Sequence, residues 1–525
     1  MRPWIKKLGA GVIGAVVAVT ALTAPASAET NKITMAEVTA GGGGVDQITF
    51  PWTNSGALSQ SVMFRALFRA EPNLITVKGD LAQSYKVSAD GKTVTVTLKS
   101  GLKWSDGKAI TVDDVVWSIN TLLRVAAPNA IYTNAFKGIV GGDAVNATNS
   151  TTISGLTTSG NTLTFKLTAP QSTFIPVLAQ FIILPKHVLA DEDVLKLATN
   201  AYWRNPVTSG PFKVGTFNQG NFITLVPNSN YEGVKPKITE INIIKSANLV
   251  ADARSGKIDY FFSNDPETIT QMESVSNFKS NPVDTPFYRY FVFNLTSTGA
   301  FKNLKARQAL QYGVDWNRLV PILYPGAGKV INGGVIKGQT GYLNTIQPYK
   351  YDQKKAIALL KAAKFDFKKT IRLRHYYSDS TSITFMTAIA QQLKGLGLKV
   401  EMLKFQGDAT TELYTNRNYD VALKGLNAFN VGEWYGEYSN SNFEKILGKQ
   451  PKWVALNAQL TQAPAGTARN KVLTELQKLE QAQLHKMTLH TLQQYVFVSK
   501  RISGATKFGA PLYIYDNNFA NWTAK

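Results

Sequence analysis

Apolar residues occupy every second position in two stretches of the first third of the chain. In each stretch the alternation flanks a pair of turn-forming residues, Asp90-Gly91 in one case and Gly160-Asn161 in the other. A period of two beside such a turn predicts an antiparallel hairpin with one buried face. The alternating apolar positions are Tyr85, Val87, Val94, Val96, Leu98, Leu163, Phe165 and Leu167.

Apolar stripes with helical spacing follow, several of them behind polar capping residues. Thr111 and Asp114 have the spacing of a capping box, Asp352 is the expected N-cap of a later helix, and a further helix is predicted over 470–484. Helices and strands alternate through most of the second half, which predicts an α/β fold with mixed sheets. The stripes are Val115, Ile119, Leu122 and Leu123; Ala356, Leu359, Leu360 and Ala363; and Phe385, Ile389, Leu393 and Leu396.

The N-terminus has the three parts of a secretory signal peptide. A positive region with Arg2 precedes an apolar run over 8–22, and Ala26-Ser27-Ala28 has the small-x-small form of a cleavage site. The run of about 15 residues is shorter than the roughly 20 that span a bilayer as a helix. We therefore expect residues 1–28 to be removed and the mature protein to be exported; an uncleaved N-terminal anchor is the alternative.

Length and cysteine content restrict the possibilities further. A chain of 525 residues exceeds what one hydrophobic core usually organises, so two or more lobes are expected. There is no cysteine, which excludes disulfides, thiolate metal sites, a cysteine nucleophile and a lipid-modified cysteine at the cleavage site. No later segment has transmembrane length.

The chain is strongly basic, with 57 Lys and Arg against 35 Asp and Glu and a formal net charge of +22. Removing the signal segment, which contains three basic residues and no acid, leaves +19. The basic residues are scattered, whereas nucleic-acid-binding proteins usually show a basic block. The charge favours a surface that faces anionic lipid headgroups or envelope polymers, with compositional drift as the alternative.

Motifs of catalysis are missing from the sequence. It has neither a G-x-S-x-G elbow nor H-E-x-x-H, and the Gly-rich stretch before Lys329 has Leu323 where a phosphate loop needs glycine. The four histidines do not have the spacing of a metal site. The sequence therefore predicts no catalytic residue, no bound metal and no cofactor.

Aromatic residues and amides are concentrated between Gly425 and Tyr435. This stretch combines Asn427, Phe429, Asn430, Glu433 and Trp434. Amides, aromatic faces and one carboxylate suit a pocket that holds a small polar ligand. The alternative is a surface loop whose aromatic side chains pack back on their own lobe.

Several blocks of the sequence resemble, in order, the signature of family 5 extracellular solute-binding proteins, the peptide, oligopeptide and nickel binders of ABC importers. The resemblance extends over nearly the whole mature chain. The matching blocks are 81–92, 98–108 with its Gly-x-Lys-Trp-x-Asp-Gly turn, 111–118, Thr208-Ser209-Gly210-Pro211-Phe212, Asn228-Ser229-Asn230-Tyr231, 291–294, 305–310, Val314-Asp315, Tyr351-Asp352 and 419–425.

This resemblance implies a hinged, two-lobed periplasmic-binding-protein fold of the α/β class, with a subdomain inserted in the first lobe. The hinge would lie near residues 286–294, and closure around a ligand would be a hinge motion. The implied division is a signal peptide at 1–28, lobe I at 29–69, 204–286 and 495–525, the inserted subdomain at 70–203, and lobe II at 287–494.

The resemblance also implies a binding site between the lobes. In peptide-binding members an acidic residue in a G-x-x-x-D-x-x-D-P-like stretch holds the ligand's ammonium group, and the matching stretch here is Gly425 to Trp434. Here the family's Asp-Pro is absent and Glu433 is the carboxylate in that stretch. On the lobe I side, the cleft wall would begin at Trp52, Thr53, Asn54 and Ser55.

The implied function is that of a non-enzymatic, monomeric substrate-binding component of an ABC importer. It would capture a peptide or similar small polar solute in the periplasm and deliver it to a permease in the inner membrane. The absence of cysteine excludes a lipid tether, and no nucleic-acid partner is expected. Alternatives are an opine-like or nickel-chelate ligand, a cell-envelope hydrolase, or an adhesin.

Overall fold

The computed structural model describes residues 31–36, 48–53, 58–149, 152–296, 299–464 and 466–525. The predicted signal peptide and two predicted site residues, Asn54 and Ser55, lie outside the described residues.

The described strands are, in chain order, β1 Lys32–Ala36, β2 Phe68–Ala70, β3 Val77–Gly79, β4 Ala82–Val87, β5 Thr93–Leu98, β6 Leu156–Ser159, β7 Thr162–Lys166, β8 Phe212–Asn218, β9 Phe222–Pro227, β10 Glu240–Ile244, β11 Tyr260–Ser263, β12 Phe278–Val283, β13 Phe287–Phe293, β14 Gly328–Val330, β15 Thr370–His375, β16 Lys399–Lys404, β17 Val421–Asn427, β18 Lys486–Leu492, β19 Gln494–Ser499, β20 Ile502–Ser503 and β21 Thr523–Ala524.

The described α-helices are α1 Leu58–Met63, α2 Val112–Leu122, α3 Ala130–Lys137, α4 Phe174–Leu178, α5 Lys186–Leu189, α6 Leu249–Arg254, α7 Pro266–Met272, α8 Leu304–Gly313, α9 Trp316–Leu323, α10 Gln353–Ala362, α11 Ser380–Gly395, α12 Ala409–Thr411, α13 Val431–Gly436, α14 Ser441–Leu447, α15 Pro451–Gln462 and α16 Thr467–Gln483. The predicted α/β class is confirmed.

A seven-stranded mixed sheet forms the part of the molecule that we call lobe I. Its strand order is β12-β19-β11-β1-β10-β9-β8, with β1 parallel to both β10 and β11. The strand β19 comes from the C-terminal part of the chain and is inserted between β11 and β12. Lobe I is therefore discontinuous in the sequence, with one strand that follows all the strands of the second lobe.

A six-stranded mixed sheet, in the order β14-β18-β13-β17-β15-β16, forms lobe II. Alternate residues of β13 face opposite sides of this sheet. Phe291 and Phe293 pack with α8 to α11, while Tyr288 and Tyr290 pack with α13 to α16. Both faces are covered, which explains why β13 reads as a nearly continuous aromatic and aliphatic run.

The predicted hairpins form a four-stranded sheet, β4-β5-β7-β6, that shares one hydrophobic core with lobe I. Val94, Val96 and Leu98 of β5 are buried, as predicted. On β4, however, Tyr85 and Val87 are 47% and 42% exposed. The predicted buried face is wrong for β4, because this strand is at the sheet's edge.

The predicted helix caps are confirmed. The backbone N–H of Thr111 donates to Asp114 at 2.8 Å in the capping box of α2, and Asp352 accepts from the N–H of Lys355 at the start of α10. The apolar stripes of α2 and α11 are buried. Arg307 donates to backbone carbonyl groups, among them those of Leu484 and Phe301 at 3.0 and 2.7 Å.

The chain passes between the lobes at two described crossings. The first is residues 284–286, between β12 and β13, and the second is Gln493, between β18 and β19. The domain boundaries implied by the resemblance stay a prediction.

Lobe I contains a cluster of buried ion pairs around Asp80 that contributes to its stability. Asp80 accepts from Arg65 at 2.7 Å and from Arg69 at 2.9 Å, and Arg65 is 3% exposed. Burial would raise the pKa of Asp80, but the two guanidinium groups outweigh burial and hold it below its usual value.

We predict that Asp80→Asn lowers the free energy of unfolding by about 3–5 kcal/mol at neutral pH, because it removes the carboxylate that Arg65 and Arg69 share and leaves Glu232 as the partner of Arg65 alone. In the wild type, the stabilisation of the folded state by ionised Asp80 is complete above the ordinary Asp pKa of about 3.9. It is lost as pH falls through the lower pKa that Asp80 has in the folded state. Urea denaturation at a series of pH values measures both the loss of unfolding free energy and its dependence on pH. Asp113→Asn, at an exposed pair with Lys186, is the control; equal losses in the two variants would contradict the account.

Candidate ligand-binding cleft

The two crossings between the lobes lie side by side. Thr285 Oγ1 donates to the carbonyl of Leu492 at 3.0 Å, and Thr491 Oγ1 donates to the carbonyl of Thr285 at 3.2 Å. Asp284 accepts from Lys329 at 2.8 Å and from Gln493 at 2.7 Å. These contacts form the floor where the two sheets approach each other.

The lobes also touch on both sides of this floor. The ring of Phe429, just after β17, lies 5.4 Å from the ring of Tyr513 in the C-terminal part of lobe I. Farther out, the N–H of Ser172 donates to the carbonyl of Thr461 at 2.9 Å, and Arg469 donates to Ser172 Oγ at 3.1 Å. The lobes therefore meet on both sides of the crossings, and one of these contacts comes from Phe429, within the predicted site stretch 425–435, which is the end of β17 and the start of α13.

Glu433 lies in the first turn of α13, at the edge of lobe II that meets Tyr513. It accepts from the backbone N–H of Phe429, and its charge acts on both Tyr513 and Tyr288. Burial, assisted by the nearby Glu437, raises the pKa of Glu433 to about 7. This carboxyl is thus partly buried, lacks a cationic partner among the described residues, and lies where the lobes meet.

Other predicted site residues on lobe II have structural contacts. Trp434 is fully buried; its Nε1 donates to Glu480 at 2.9 Å, and its ring stacks on Tyr288 at 4.8 Å. Asn430 caps α13 by accepting from the N–H of Gly432. Asn427 is partly buried at the end of β17, opposite Phe287.

The described residues of the predicted lobe I wall are held by local contacts. Trp52 is fully buried, donates through Nε1 to the carbonyl of Ile182 at 2.8 Å, and stacks on Phe181. Thr53 Oγ1 donates to the carbonyl of Phe50 at 3.3 Å. The assignment of ligand contacts to Trp52 and Trp434 stays a prediction, but neither ring is open to solvent here.

A buried charge cluster behind Glu433 was not predicted from the sequence. Glu437 accepts from Lys424 at 2.8 Å, from Lys486 at 3.0 Å and from the hydroxyl of Tyr290 at 2.8 Å. Lys486 is 0% exposed and its ammonium lies 3.6 Å from the centre of the Trp434 ring. The available signal was the single lysine in each of two segments that form strands, Lys424 in β17 and Lys486 in β18.

This cluster determines the electrostatics beneath the cleft. Burial lowers the pKa of Lys486 to about 8 despite its ion pair. Burial would raise the pKa of Glu437, but Lys424 and Lys486 outweigh it and lower that pKa. The negative charge of Glu437 is therefore balanced by Lys424 and Lys486 of its own lobe. Glu433 is the carboxyl on the side of the opposite lobe.

The described residues contain no group of three His, Asp or Glu side chains arranged to hold a metal ion. Within the same residues, no helix has the length and apolar character needed to cross a membrane.

The chain belongs to a known class of binding proteins: a profile of bacterial extracellular solute-binding proteins, family 5 Middle, matches residues 76–441. This confirms the family resemblance found in the sequence.

Individual proteins are similar to this chain in sequence. A glutathione-binding protein, GsiB, of Escherichia coli is 26% identical over 416 residues, which cover 78% of this chain and 75% of that protein. Proteins of Brucella, including Brucella ovis, that are named as ABC transporter peptide-binding proteins are 27% identical over 64% of this chain. The chain spans 62% of the length of these Brucella relatives.

Solved structures confirm the two-lobed fold. The substrate-binding protein CtaP of Listeria monocytogenes has a TM-score of 0.78 at 19% identity, covering 94% of this chain and 99% of that one. The oligopeptide-binding protein AppA of Bacillus subtilis, in complex with a nonapeptide, has a TM-score of 0.71 at 20% identity with the same coverage.

The raised pKa of Glu433 gives a testable pH dependence. Because its folded-state pKa of about 7 exceeds the ordinary value of 4.5, the folded protein favours the protonated carboxyl. We predict that this group lowers the free energy of unfolding of the ligand-free protein as pH rises from 4.5 to 7, and that Glu433→Gln removes that decline. Denaturant unfolding across this range is the measurement; identical pH profiles for the two proteins would contradict it.

Proposed function

We propose that this protein is the exported substrate-binding component of an ABC importer, and that it captures a peptide or similar small polar solute between its lobes. Membership of the family 5 solute-binding proteins supports a binding role rather than an enzymatic one. The names of relatives that bind peptides and glutathione support this substrate class.

The single observation that carries the proposal is the position of Glu433. It is a partly buried carboxyl with a raised pKa at the edge where lobe II meets Tyr513 of lobe I. A ligand ammonium placed there would supply the missing positive partner and favour the ionised carboxylate. The ligand would therefore stabilise closure by making contacts with both lobes at once.

The delivery step follows from the same proposal. The mature protein, without residues 1–28, would act as a monomer in the periplasm and deliver its solute to an inner-membrane permease. The division proposed is lobe I at 29–69, 204–286 and 495–525, an inserted subdomain at 70–203, and lobe II at 287–494. Apart from Gln494, the first residue of β19, the strands of the two large sheets lie within these ranges, and the two crossings fall near the boundaries at 286 and 494, which supports this division.

Binding to Glu433→Gln tests the proposal. We expect peptides of two to five residues to stabilise the wild-type protein in a thermal-shift screen. Glu433→Gln should weaken the best peptide by about 2–5 kcal/mol, measured by titration calorimetry, because the ligand's ammonium loses its charged partner.

Two controls distinguish the loss of a contact between Glu433 and the ligand's ammonium group from a general effect of the substitution on binding. Glu475→Gln, at an exposed surface position, should leave the affinity unchanged. An N-acetylated form of the same peptide should bind wild type and Glu433→Gln alike, because it has no ammonium. A screen in which no peptide stabilises the wild type would contradict the peptide assignment, and an unchanged affinity in Glu433→Gln would contradict the role of Glu433.

A further inference from the structure

Arg289 occupies the end of the lobe II sheet that lies next to the hinge crossings. It is the third residue of β13, just after the first crossing, and its cross-strand neighbours are Gly425 on β17 and His490 on β18. After Gly425, β17 ends at Asn427, and the chain continues to Phe429, which contacts lobe I. The N–H of Ala428 donates to the carbonyl of Pro286 at 2.9 Å. Arg289 is therefore placed at the cleft end of the sheet.

The guanidinium of Arg289 rests on a fixed aromatic platform. Its central carbon lies 3.6 Å from the centre of the Tyr377 ring and 5.4 Å from that of Phe287. The Tyr377 hydroxyl donates to that of Tyr376 at 3.0 Å, and Tyr376 in turn accepts from the N–H of Gly425. Stacking against these rings fixes the plane of the guanidinium and leaves its edge for hydrogen bonding.

Two nitrogen atoms of this guanidinium lack acceptors. Nε and Nη1 of Arg289 are buried and have no hydrogen-bond partner among the described residues, and the polar side-chain group that acts on the guanidinium is the neutral Tyr377 hydroxyl rather than an anion. Three other enclosed arginines have partners: Arg65 pairs with Asp80, Arg372 pairs with Asp420, and Arg307 donates to backbone carbonyls. Arg124 has one buried nitrogen, Nε, without a partner among the described residues, whereas Arg289 has two. A buried cation without a counter-charge is costly unless a ligand supplies one.

The groups around Arg289 do not supply the missing anion. His490 is fully buried and neither ring nitrogen has a hydrogen-bond partner among the described residues; burial, with the charge of Arg289, lowers its pKa to about 3, so it is neutral. The charges of Arg289 and Asp379 both act on Tyr324. Asp379, however, is exposed and accepts from the N–H of Ser382 as the cap of α11.

We propose that Arg289 is an anion subsite of the cleft and binds a carboxylate, or another oxyanion group, of the transported solute. The inference rests on the proposed function and narrows its substrate class to solutes with an anionic group. The planar guanidinium donates Nε–H and Nη2–H, which point in the same direction, to the two oxygens of that group, while Tyr377 holds the guanidinium from its face.

Paired ligands test the proposal. Each peptide of the screen is titrated as its free acid and as its C-terminal amide into wild type, Arg289→Gln and Arg289→Lys. We expect the wild type to prefer the acid, and Arg289→Gln to weaken the acid at least about 30-fold without changing the affinity for the amide. Arg289→Lys should recover only part of the loss, because lysine keeps the positive charge but cannot donate two parallel hydrogen bonds from one planar group. Arg318→Gln, at an exposed position of α9, is the matched control.

A second measurement needs no peptide. In protein labelled with ¹⁵N-arginine, the Nε resonance of Arg289, assigned by its loss in Arg289→Lys, should shift on addition of acetate or inorganic phosphate. If no peptide binds but this shift is seen, the peptide assignment fails and the anion subsite stands. Equal binding of acid and amide by the wild type, an acid preference that Arg289→Gln retains, or an Nε resonance unmoved by saturating acetate and phosphate would overturn the subsite.

Discussion

The hydrogen bonds between the two crossings are the constraint on which the rest of the structure depends. Thr285 both donates to and accepts from the segment 491–492, so the chain leaves and re-enters lobe I at one place. Because β19 is inserted between β11 and β12, lobe I cannot be completed unless the chain returns there. Two adjacent connections allow rotation of the lobes about one axis and restrict other motions, as a hinge requires.

The polar groups of lobe II are distributed in relation to this hinge. Behind α13, Glu437 is matched by Lys424 and Lys486, so that cluster is neutralised within the lobe. At the cleft end, Glu433 and Arg289 lack such partners among the described residues. Satisfied buried charges stabilise a unique packing, whereas charged groups left without partners at the meeting of two lobes are suited to complement a ligand.

The sequence predicted local features well because they depend on neighbours in the chain. The cap of α2 by Thr111 and Asp114 needs only four consecutive residues, and the stripe of α11 needs only one helical face. The exposed side chains of β4 were missed because alternation shows that a strand has two faces but not whether the strand is central or at an edge.

The site could be predicted only in part for the same reason. The family resemblance led to Glu433, and the structure places it at the meeting of the lobes. The full burial of Trp434 depends on Glu480, which is 46 residues away, and the environment of Arg289 depends on strands β17 and β18 and on Tyr377. Such neighbours are set by sheet order and register, which local patterns do not determine.

Capture of a solute between the lobes is tested most directly by the distance between them. The chain has no cysteine, so cysteines replacing the exposed Leu195 and Leu403 would carry spin labels at two defined positions, one in each lobe. Double electron–electron resonance should show the distance distribution narrow and shift to shorter values when a peptide that binds by calorimetry is added. An unchanged distribution on saturation with that peptide would contradict capture by closure of the two lobes.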